Sequence, residues 1–288
     1  MEISAHAKIN LTLDVAGRCR DGYHELASVM QEIELADTLV LDMGPSEISL
    51  WVDPPVVSAG EDNLVLQAAR LLREYGQVRQ GAVIGLRKRI PVGAGLGGGS
   101  ADAAATLLGL NGLWGLHLSP DTLKELGARL GSDIPFCLTG GTALVTGRGE
   151  VVEPLAPLPA ASLLLVKPPF PVSTAEVYRL WDERGLSGGA GTPAMLAAVA
   201  GGDWRAVAGC LANDLEEVTC GLHPEVTAVK RTLWNAGALA VLMSGSGPAV
   251  FSLWPDGESA RRAGLGFPES YYQVLPTRTF YGPGQASG

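Results

Sequence analysis

The feature that most constrains the fold is the glycine-rich stretch PVGAGLGGGSADAAA at residues 91–105. Five of the seven positions from 93 to 99 are glycine, so this segment has almost no side chains that can pack into a core. Ordering glycine costs more backbone entropy than ordering other residues, which favours a loop that another group approaches closely. The strand-like run GAVIGLRKRI precedes the glycines, and an alanine-rich run predicts a helix from Ser100 to about Leu110.

The order of strand, glycine loop and helix indicates an anion site. Gly93, Gly95 and Gly98 match G-x-G-x-x-G, but the acidic residue expected about 20 residues later is missing. The Walker pattern also fails, because no Gly-Lys-Ser/Thr follows. The N–H groups that begin a helix nevertheless attract negative charge. We therefore expect the loop to bind phosphate, with the Ser100 hydroxyl reaching a phosphate oxygen or a phosphate-bound metal. The alternative is a glycine-rich surface turn.

Composition excludes several classes of protein. With 288 residues and 47% apolar residues, the chain is a core-rich globular protein of one or two domains. A net charge of −9 argues against nucleic-acid binding. The four cysteines are far apart without a CxxC pair, which suits a reducing cytoplasm and argues against a zinc site or a disulfide framework. No signal peptide is evident, and no apolar run approaches the roughly 18 residues that span a bilayer.

Local patterns predict several strands and helices. Apolar and polar residues alternate over residues 5–15, which is typical of a half-buried strand. The run EDNLVLQAARLLREYG predicts a helix capped by Asp62 or Asn63. Ser119 predicts the N-cap of a second helix, and Ser173 begins a third with a capping box. ALAVLMSGSGPAVFSLW predicts two strands around a tight Gly-Ser turn.

Prolines cluster between residues 154 and 171, and we place a domain boundary at the start of this region. The boundary separates an N-terminal domain of residues 1–153 from a C-terminal domain of residues 154–288. Strands and helices interleave without the regular alternation of a doubly wound sheet. The predicted fold class is therefore α+β in two domains.

Three polar residues stand out near these elements. Lys8 and Asn10 lie side by side on the polar face of the first strand, where a solvated strand face is the alternative interpretation. Asp133 precedes Ile134-Pro135, and the proline is expected to push Ile134 toward extended geometry. A turn aspartate is the commonest use of such a residue. Phosphoryl transfer to an alcohol, however, needs a carboxylate for the hydroxyl and a cation for the phosphate.

The stretch PVGAGLGGGSADAAA resembles the second signature of the GHMP kinase superfamily, which includes galactokinase, homoserine kinase and mevalonate kinase. In that family the loop wraps the nucleotide triphosphate. The resemblance implies an N-terminal ribosomal-protein-S5-like nucleotide-binding domain and a C-terminal ferredoxin-like α/β domain. It also implies that ATP is bound by Pro91, Val92, Gly93, Ala94, Gly95, Leu96, Gly97, Gly98, Gly99, Ser100 and Ala101, with Asn63 and Lys88 near the base.

Within the superfamily, AKINLTLDVAGRCRDGYHELASVMQ, GSDIPF and MSGSGPAVF resemble the kinases that act on a CDP-linked methylerythritol. These segments run in the family's order to about residue 251, so the similarity covers most of the chain. The resemblance implies that Lys8 and Asp133 are the catalytic pair. Asp133 would act on the substrate hydroxyl, and Lys8 would hold the arrangement.

The same resemblance implies a substrate site with an aromatic sandwich for cytosine. Tyr23 and Tyr178 would stack on the base and His24 would bond to it, although helical spacing alone also explains Tyr178 as a core residue. The remaining implied substrate residues are Asn10 near the erythritol or phosphate end, Gly245 and Gly247 facing the phosphates, and Arg148, for which a solvated arginine is the alternative.

Together these features predict ATP-dependent phosphorylation of the 2-hydroxyl of the CDP-linked methylerythritol, in non-mevalonate isoprenoid precursor biosynthesis. Mg²⁺ is expected to be carried by ATP, with help from Ser100 or a carboxylate and without a dedicated metal cage. The alternatives are another GHMP kinase, for mevalonate or homoserine, and a non-catalytic ligand sensor. We expect a small-molecule substrate, no nucleic-acid or membrane partner, a cytoplasmic location, and a monomer or weak homodimer.

Overall fold

The structure is a computed structural model that describes residues 1–18 and 24–281. Its strands are β1 (Glu2–Asn10), β2 (Thr12–Arg18), β3 (His24–Gly44), β4 (Ile48–Asp53), β5 (Gly81–Arg87), β6 (Thr142–Gly147), β7 (Val151–Pro154), β8 (Ser162–Lys167), β9 (Ala212–Asn213), β10 (Ala240–Met243), β11 (Val250–Trp254) and β12 (Gln273–Arg278). Its helices are α1 (Leu64–Tyr75), α2 (Gly98–Leu113), α3 (Pro120–Ala128), α4 (Ile134–Thr139), α5 (Thr174–Glu183), α6 (Gly191–Ala200), α7 (Trp204–Ala208), α8 (Glu216–Leu222), α9 (Pro224–Asn235) and α10 (Gly257–Gly264). Among these helices of the described residues, none is both long enough and apolar enough to cross a membrane.

The chain forms two compact units that interleave along the sequence. The first unit consists of Met1–Ala7, Leu35–Val92 and Gly97–Thr139. The second consists of Lys8–Glu34, Gly93–Leu96 and the chain from Gly140 onward. The glycine loop therefore divides between the units after Leu96. The expected domain boundary between residues 153 and 154 stays a prediction.

The first unit is a sheet packed against helices α1 to α4. β4 runs parallel to β5, and β5 pairs antiparallel with residues 38–44 of β3. Buried apolar side chains of the strands and all four helices form one core. Helix α2 lies close to the sheet because Gly109 has no side chain: a Cβ there would collide with Leu41.

The second unit contains two groups of strands. β2 pairs antiparallel with β3 and parallel with β9, while β3 also pairs with β6, and β6 with β7. A four-stranded antiparallel sheet has the order β10-β11-β8-β12 and packs against α9 and α10. A further apolar cluster joins β2 to α5 and α8. The hairpin of β10 and β11 confirms the two strands predicted around the Gly-Ser turn.

Three predicted helix starts are confirmed at the residue level. The side chain of Asn63 accepts the N–H of Val65 at 2.9 Å and caps α1. Ser119 caps α3 at 3.2 Å, and Ser173 caps α5 through the N–H of Glu176 at 3.3 Å. Such caps depend on side chains within three residues of the helix, which explains why the sequence predicts them well.

Other local predictions are wrong in detail. The first alternating stretch is two strands, β1 and β2, separated at Leu11. Helix α2 starts at Gly98 instead of Ser100, because Gly97 takes a left-handed φ of 70° and its carbonyl accepts the N–H of Ala101 at 2.8 Å. Ile134 is the first residue of α4 and is not extended. Pro135 is tolerated because the first N–H groups of a helix have no intrahelical acceptor.

Candidate active site

The first half of the glycine loop, residues 93–96, is fixed through its carbonyl groups. Three successive carbonyl oxygens accept hydrogen bonds of 3.0 to 3.2 Å. The acceptors are Ala94, Gly95 and Leu96, and the donors are, in the same order, the N–H of Ala249, the hydroxyl of Ser244 and the N–H of Lys8. Gly95 has a φ of 79°, and a Cβ there would collide with the carbonyl oxygen of Ser244. Glycine is therefore required at position 95, and the orientation of these peptide groups is set.

The second half of the loop turns directly into helix α2. The first-turn N–H groups of this helix have no acceptor within it, so the start of α2 is a positive end where an anion can bind. Gly99 is exposed there and Ser100 is half-buried. Ser100 is the third residue of the helix and not its first, and no side chain among the described residues caps α2.

The predicted ATP-binding residues of the loop differ in whether their side chains are accessible to a ligand. The side chains of Pro91, Ala94, Leu96 and Ala101 are buried, so these residues can meet a ligand only through their backbone. Val92 is 45% exposed. The buried side chains anchor the loop on both sides of the exposed glycines.

Lys8 and Asn10 are buried, which excludes the solvated strand face. Only 4% of Lys8 and none of Asn10 is exposed. Lys8 Nζ donates to Asn10 Oδ1 at 2.8 Å, Asn10 Nδ2 donates to Ser28 Oγ at 2.9 Å, and Ser28 donates to the carbonyl of Thr12. This chain of hydrogen bonds fixes the amide of Asn10 and, through it, the ammonium of Lys8. A cation is thus held in place at the end of β1.

A second glycine loop, residues 244–247, lies against both the first loop and Asn10. A Cβ built on Gly245 would be 3.1 Å from the carbonyl oxygen of Gly95 and 3.6 Å from Asn10 Oδ1. Gly245 and Gly247 have φ values of 57° and 86°, so both also serve the turn. The second unit therefore brings together the Lys8–Asn10 pair and residues of both predicted loops.

Asn213 holds the second loop and was not found by sequence reasoning. Its Nδ2 donates at 2.8 Å to the carbonyls of Met243 and Gly245, and its Oδ1 accepts the N–H of Leu215. Thr219 donates to the carbonyl of Ser246 at 3.1 Å. A single asparagine distant in the sequence gives no local signal of this role.

His24 sits in a polar and aromatic environment built by helix α5. Its ring stacks on Tyr178, with centroids 4.8 Å apart and an interplanar angle of 23°, and meets Trp181 edge-on. Its ring nitrogen Nε2 lies 2.7 Å from Asp182 Oδ1, and this carboxylate oxygen accepts the hydrogen bond from Nε2–H. Tyr178 also packs on an apolar core cluster, which supports the core interpretation, and its stacking on a base stays a prediction. Tyr23 lies outside the described residues, and the base sandwich stays a prediction.

Asp182 was missed, although a signal was present. It follows Tyr178 by four residues on α5, so both side chains lie on the same helix face and reach the same ring. A carboxylate one turn after a predicted base-stacking aromatic is the pattern that would have found it.

Asp133 lies in the first unit, directly before α4. Its backbone carbonyl accepts the N–H of Cys137 at 3.1 Å, so it occupies the position that precedes the first helical residue. The residue is half-buried. Lys8 belongs to the second unit, and the pairing of the two residues in catalysis stays a prediction.

The two residues predicted near the ATP base already have partners. Asn63 caps α1 with its Oδ1 and donates from Nδ2 to the carbonyl of Ser58 at 2.6 Å. The Lys88 ammonium donates to Asp37 and, at 2.7 Å, to Asp102. Burial works against the charge on Lys88, but the two carboxylates outweigh it and raise its pKa above the ordinary value. The nucleotide contacts of both residues stay predictions.

Arg148 lies in the turn between β6 and β7. Its side chain is 48% exposed, with Nε 3.9 Å from Glu150 Oε1. Its role at the substrate stays a prediction. Within the described part of the chain, no group of three or more His, Cys, Asp or Glu residues is arranged to hold a metal ion.

Two family profiles match this chain, one in its N-terminal half and one in its C-terminal half. The GHMP kinases N terminal domain matches residues 63–141, which include the glycine loop and Asp133. The GHMP kinases C terminal profile matches residues 195–273, which include Asn213 and the second loop. A curated relative from Pelotomaculum thermopropionicum, named 4-diphosphocytidyl-2-C-methyl-D-erythritol kinase, is 53% identical over 96% of both chains. The chain belongs to the GHMP kinase family.

Further relatives of this GHMP kinase agree with that assignment. A protein of the same name from Moorella thermoacetica is 49% identical over 97% of this chain and 99% of its own length. A solved structure titled 4-(cytidine 5'-diphospho)-2C-methyl-D-erythritol kinase is 37% identical, with a TM-score of 0.82 over 98% of this chain and all of the other. A homoserine kinase from Cytophaga hutchinsonii, 21% identical over 95% of this chain and 94% of its own, shares the fold with a TM-score of 0.71. The predicted kinase and its two-domain α+β GHMP fold are confirmed.

Proposed function

We propose that this GHMP kinase transfers the γ-phosphoryl group of ATP to the 2-hydroxyl of 4-diphosphocytidyl-2-C-methyl-D-erythritol. The products are the 2-phosphate and ADP, in non-mevalonate isoprenoid precursor biosynthesis. The observation that carries the proposal is the buried Lys8 ammonium, bonded to Asn10 beside residues of two glycine loops. The names of the relatives from Pelotomaculum and Moorella support the choice of acceptor.

The proposed reaction is a direct, in-line transfer without a covalent enzyme intermediate. The substrate's hydroxyl oxygen forms a bond to the γ-phosphorus while the bond from that phosphorus to the ADP oxygen breaks. Asp133 orients the hydroxyl and accepts its proton. Lys8 holds the arrangement and offsets negative charge on the transferred group.

The glycine loops bind the phosphates in this proposal. The N–H groups at the start of α2 face the triphosphate of ATP, and Gly245 and Gly247 face the diphosphate of the acceptor. Near the start of α2, the half-buried Ser100 offers one hydroxyl oxygen, which fits a Mg²⁺ ion that keeps phosphate and water as its other ligands. Mg²⁺ held there would neutralise charge on the phosphate oxygens.

The cytosine is assigned to the side chains around His24. Tyr178 offers one stacking face, and Tyr23 is assigned the other. Asp182 accepts the Nε2–H of His24. In this assignment the ring nitrogen Nδ1 accepts a hydrogen bond from an amino group such as N4–H₂ of cytosine. A uracil ring carries a carbonyl oxygen there, so this arrangement favours cytosine.

The enzyme is proposed to act on this small molecule in the cytoplasm, as a monomer or weak homodimer. In the described part of the chain, Cys137, Cys210 and Cys220 form no disulfide bond, which suits a reducing compartment.

The test is ADP release with Mg·ATP and three separate acceptors: the cytidine compound, mevalonate and homoserine. Turnover with the cytidine compound alone is the expected result. Turnover with mevalonate or homoserine alone would keep the kinase chemistry but overturn the assignment of His24 and Tyr178. ATP binding without ADP release from any acceptor would favour the ligand sensor.

A further inference from the structure

Three charged side chains form a cluster inside the first unit. Lys88 Nζ donates to Asp102 Oδ2 at 2.7 Å and also to Asp37 Oδ2. At most 4% of each of these side chains is exposed. The other oxygen of Asp37 accepts the backbone N–H groups of Arg89 and Ile90. The charge cluster, Asp37, Lys88 and Asp102, is thus bonded to the backbone that leads into the glycine loop.

The charge cluster joins three elements beneath the start of α2. Asp37 belongs to β3, Lys88 directly follows β5, and Asp102 is the fifth residue of α2. A Cβ built on Gly98 would be 2.9 Å from Ile90 Cγ2 and 3.5 Å from Lys88 Nζ. The first residue of α2 therefore lies close to Ile90 and to the Lys88 ammonium, and the absence of a side chain at Gly98 permits this approach.

Stability alone does not account for the charge cluster. Burying charges is costly even when they are paired, and apolar side chains of similar volume commonly stabilise a core as well or better. Asp102 Oδ1 is buried and has no hydrogen-bond partner within the described residues. Burial raises the pKa of Asp102 to about 7, although Lys88 acts in the opposite direction. The charge cluster supplies directional hydrogen bonds that hold the start of α2 in one place. Apolar packing does not supply such bonds.

We propose that Asp37, Lys88 and Asp102 are positioning residues that fix the first turn of α2 for the triphosphate of ATP. Lys88 acts on the nucleotide through Gly98 and its backbone, and its ammonium does not touch the base. The inference rests on the proposed use of the glycine loop to bind ATP, but not on the identity of the acceptor.

The test is calorimetric titration of the full chain with Mg·ADP, without acceptor, so that it remains informative if the acceptor is a different alcohol. The proteins are wild type, Asp102→Asn, Lys88→Met and the double variant. Each single variant is expected to weaken binding about tenfold, because a charged hydrogen bond is lost. The double variant is expected to bind no more weakly than Lys88→Met, because the two residues act as one unit. The KM for the cytidine compound should stay within about twofold of wild type.

The matched control is Glu32→Gln, which changes a half-buried carboxylate of the second unit that accepts a hydrogen bond from the N–H of Gly141. Its affinity for Mg·ADP should equal that of wild type. If Asp102→Asn binds Mg·ADP as tightly as wild type but has a lower melting temperature, the charge cluster has only a structural role and the proposal is wrong. Independent, additive losses in the double variant would indicate that Lys88 contacts the nucleotide itself. If Lys88→Met does not fold, the affinity of Asp102→Asn for Mg·ADP and its melting temperature decide between a positioning role and a structural role.

Discussion

At the scale of single residues, burial and partners decide what a charged side chain can do. Lys8 and Lys88 are both buried lysines, but Lys8 donates to the neutral amide of Asn10 whereas Lys88 donates to two carboxylates. The first contact fixes the Lys8 ammonium beside the glycine loops, and the second pairs the Lys88 ammonium with two acidic side chains. The family resemblance implied catalysis for Lys8 and a place near the ATP base for Lys88. It could not give the partners of Lys88, because Asp37 and Asp102 are distant from Lys88 along the chain.

The carboxyl group of Glu32 is expected to make the free energy of unfolding depend on pH. Burial raises its pKa to about 7, although the N–H of Gly141 acts in the opposite direction. A carboxyl group with a raised folded-state pKa favours folding below its unfolded pKa and loses that contribution as pH rises through the folded value. Between pH 4.5 and about 7 this loss reaches roughly 3 kcal/mol. Glu32→Gln is therefore expected to stabilise the protein at pH 8 and to change little at pH 4.5.

Chemical unfolding of Glu32→Gln and wild type at both pH values measures the effect. The amide oxygen of glutamine can still accept the N–H of Gly141, so the bond at 2.8 Å need not be lost. An equal difference in the free energy of unfolding at the two pH values would contradict the raised pKa.

At the scale of elements, helix α5 presents Tyr178 and Asp182 to His24 from one face. Tyr178→Ala should raise the KM for the cytidine compound about tenfold, because one stacked face is worth about 1–3 kcal/mol. Tyr178→Phe keeps the ring and should retain the wild-type KM. In both variants the KM for ATP should not change.

Steady-state kinetics with each substrate varied in turn checks this prediction. A lower melting temperature of Tyr178→Ala with an unchanged KM for the cytidine compound would assign the ring to the core cluster of β2, α5 and α8 alone.

The glycine loop gives a prediction about backbone geometry. Gly95→Ala places a Cβ against the carbonyl of Ser244 at a φ of 79°, so the loop must move. We expect kcat/KM to fall by about a hundredfold or more, since small displacements of binding groups have such effects.

Gly112→Ala on α2 is the matched control for Gly95→Ala. Its Cβ would lie 3.9 Å from Met1 Cε, an ordinary contact, and alanine is favoured over glycine inside a helix. Activity close to wild type in both variants would show that the geometry of residues 93–96 is not critical.

The sequence predicts where helices and strands begin better than it predicts which distant residues they contact. The caps at Asn63, Ser119 and Ser173 follow from neighbouring residues, so pattern reasoning finds them. The start of α2 was misplaced by two residues, because a serine signals a cap more strongly than a left-handed glycine does. Asn213 and Asp182 act on partners far away in the sequence, and such pairs are determined only when the chain folds.

At the scale of the whole molecule, the chain interleaves its two compact units. The glycine loop divides between them, with residues 93–96 in the second unit and the start of α2 in the first. Lys8 and Asp133 likewise come from different units. The α+β class follows from the order of strands and helices, whereas the interleaving depends on long-range pairing that no local pattern carries. The site residues were predicted through resemblance to a family, and the structure adds Asp182, Asn213 and the two carboxylates of Asp37 and Asp102 that bind Lys88.

The most direct test of the central claim is single-turnover product formation from ATP and 4-diphosphocytidyl-2-C-methyl-D-erythritol, followed by ³¹P NMR. Wild type should form ADP and a new phosphomonoester on the 2-hydroxyl. Asp133→Asn should bind both substrates with wild-type affinity, and product formation should be slower by about 100-fold or more, because the amide cannot accept the proton. Wild-type rates in Asp133→Asn, or a phosphomonoester on another hydroxyl, would contradict the proposed chemistry.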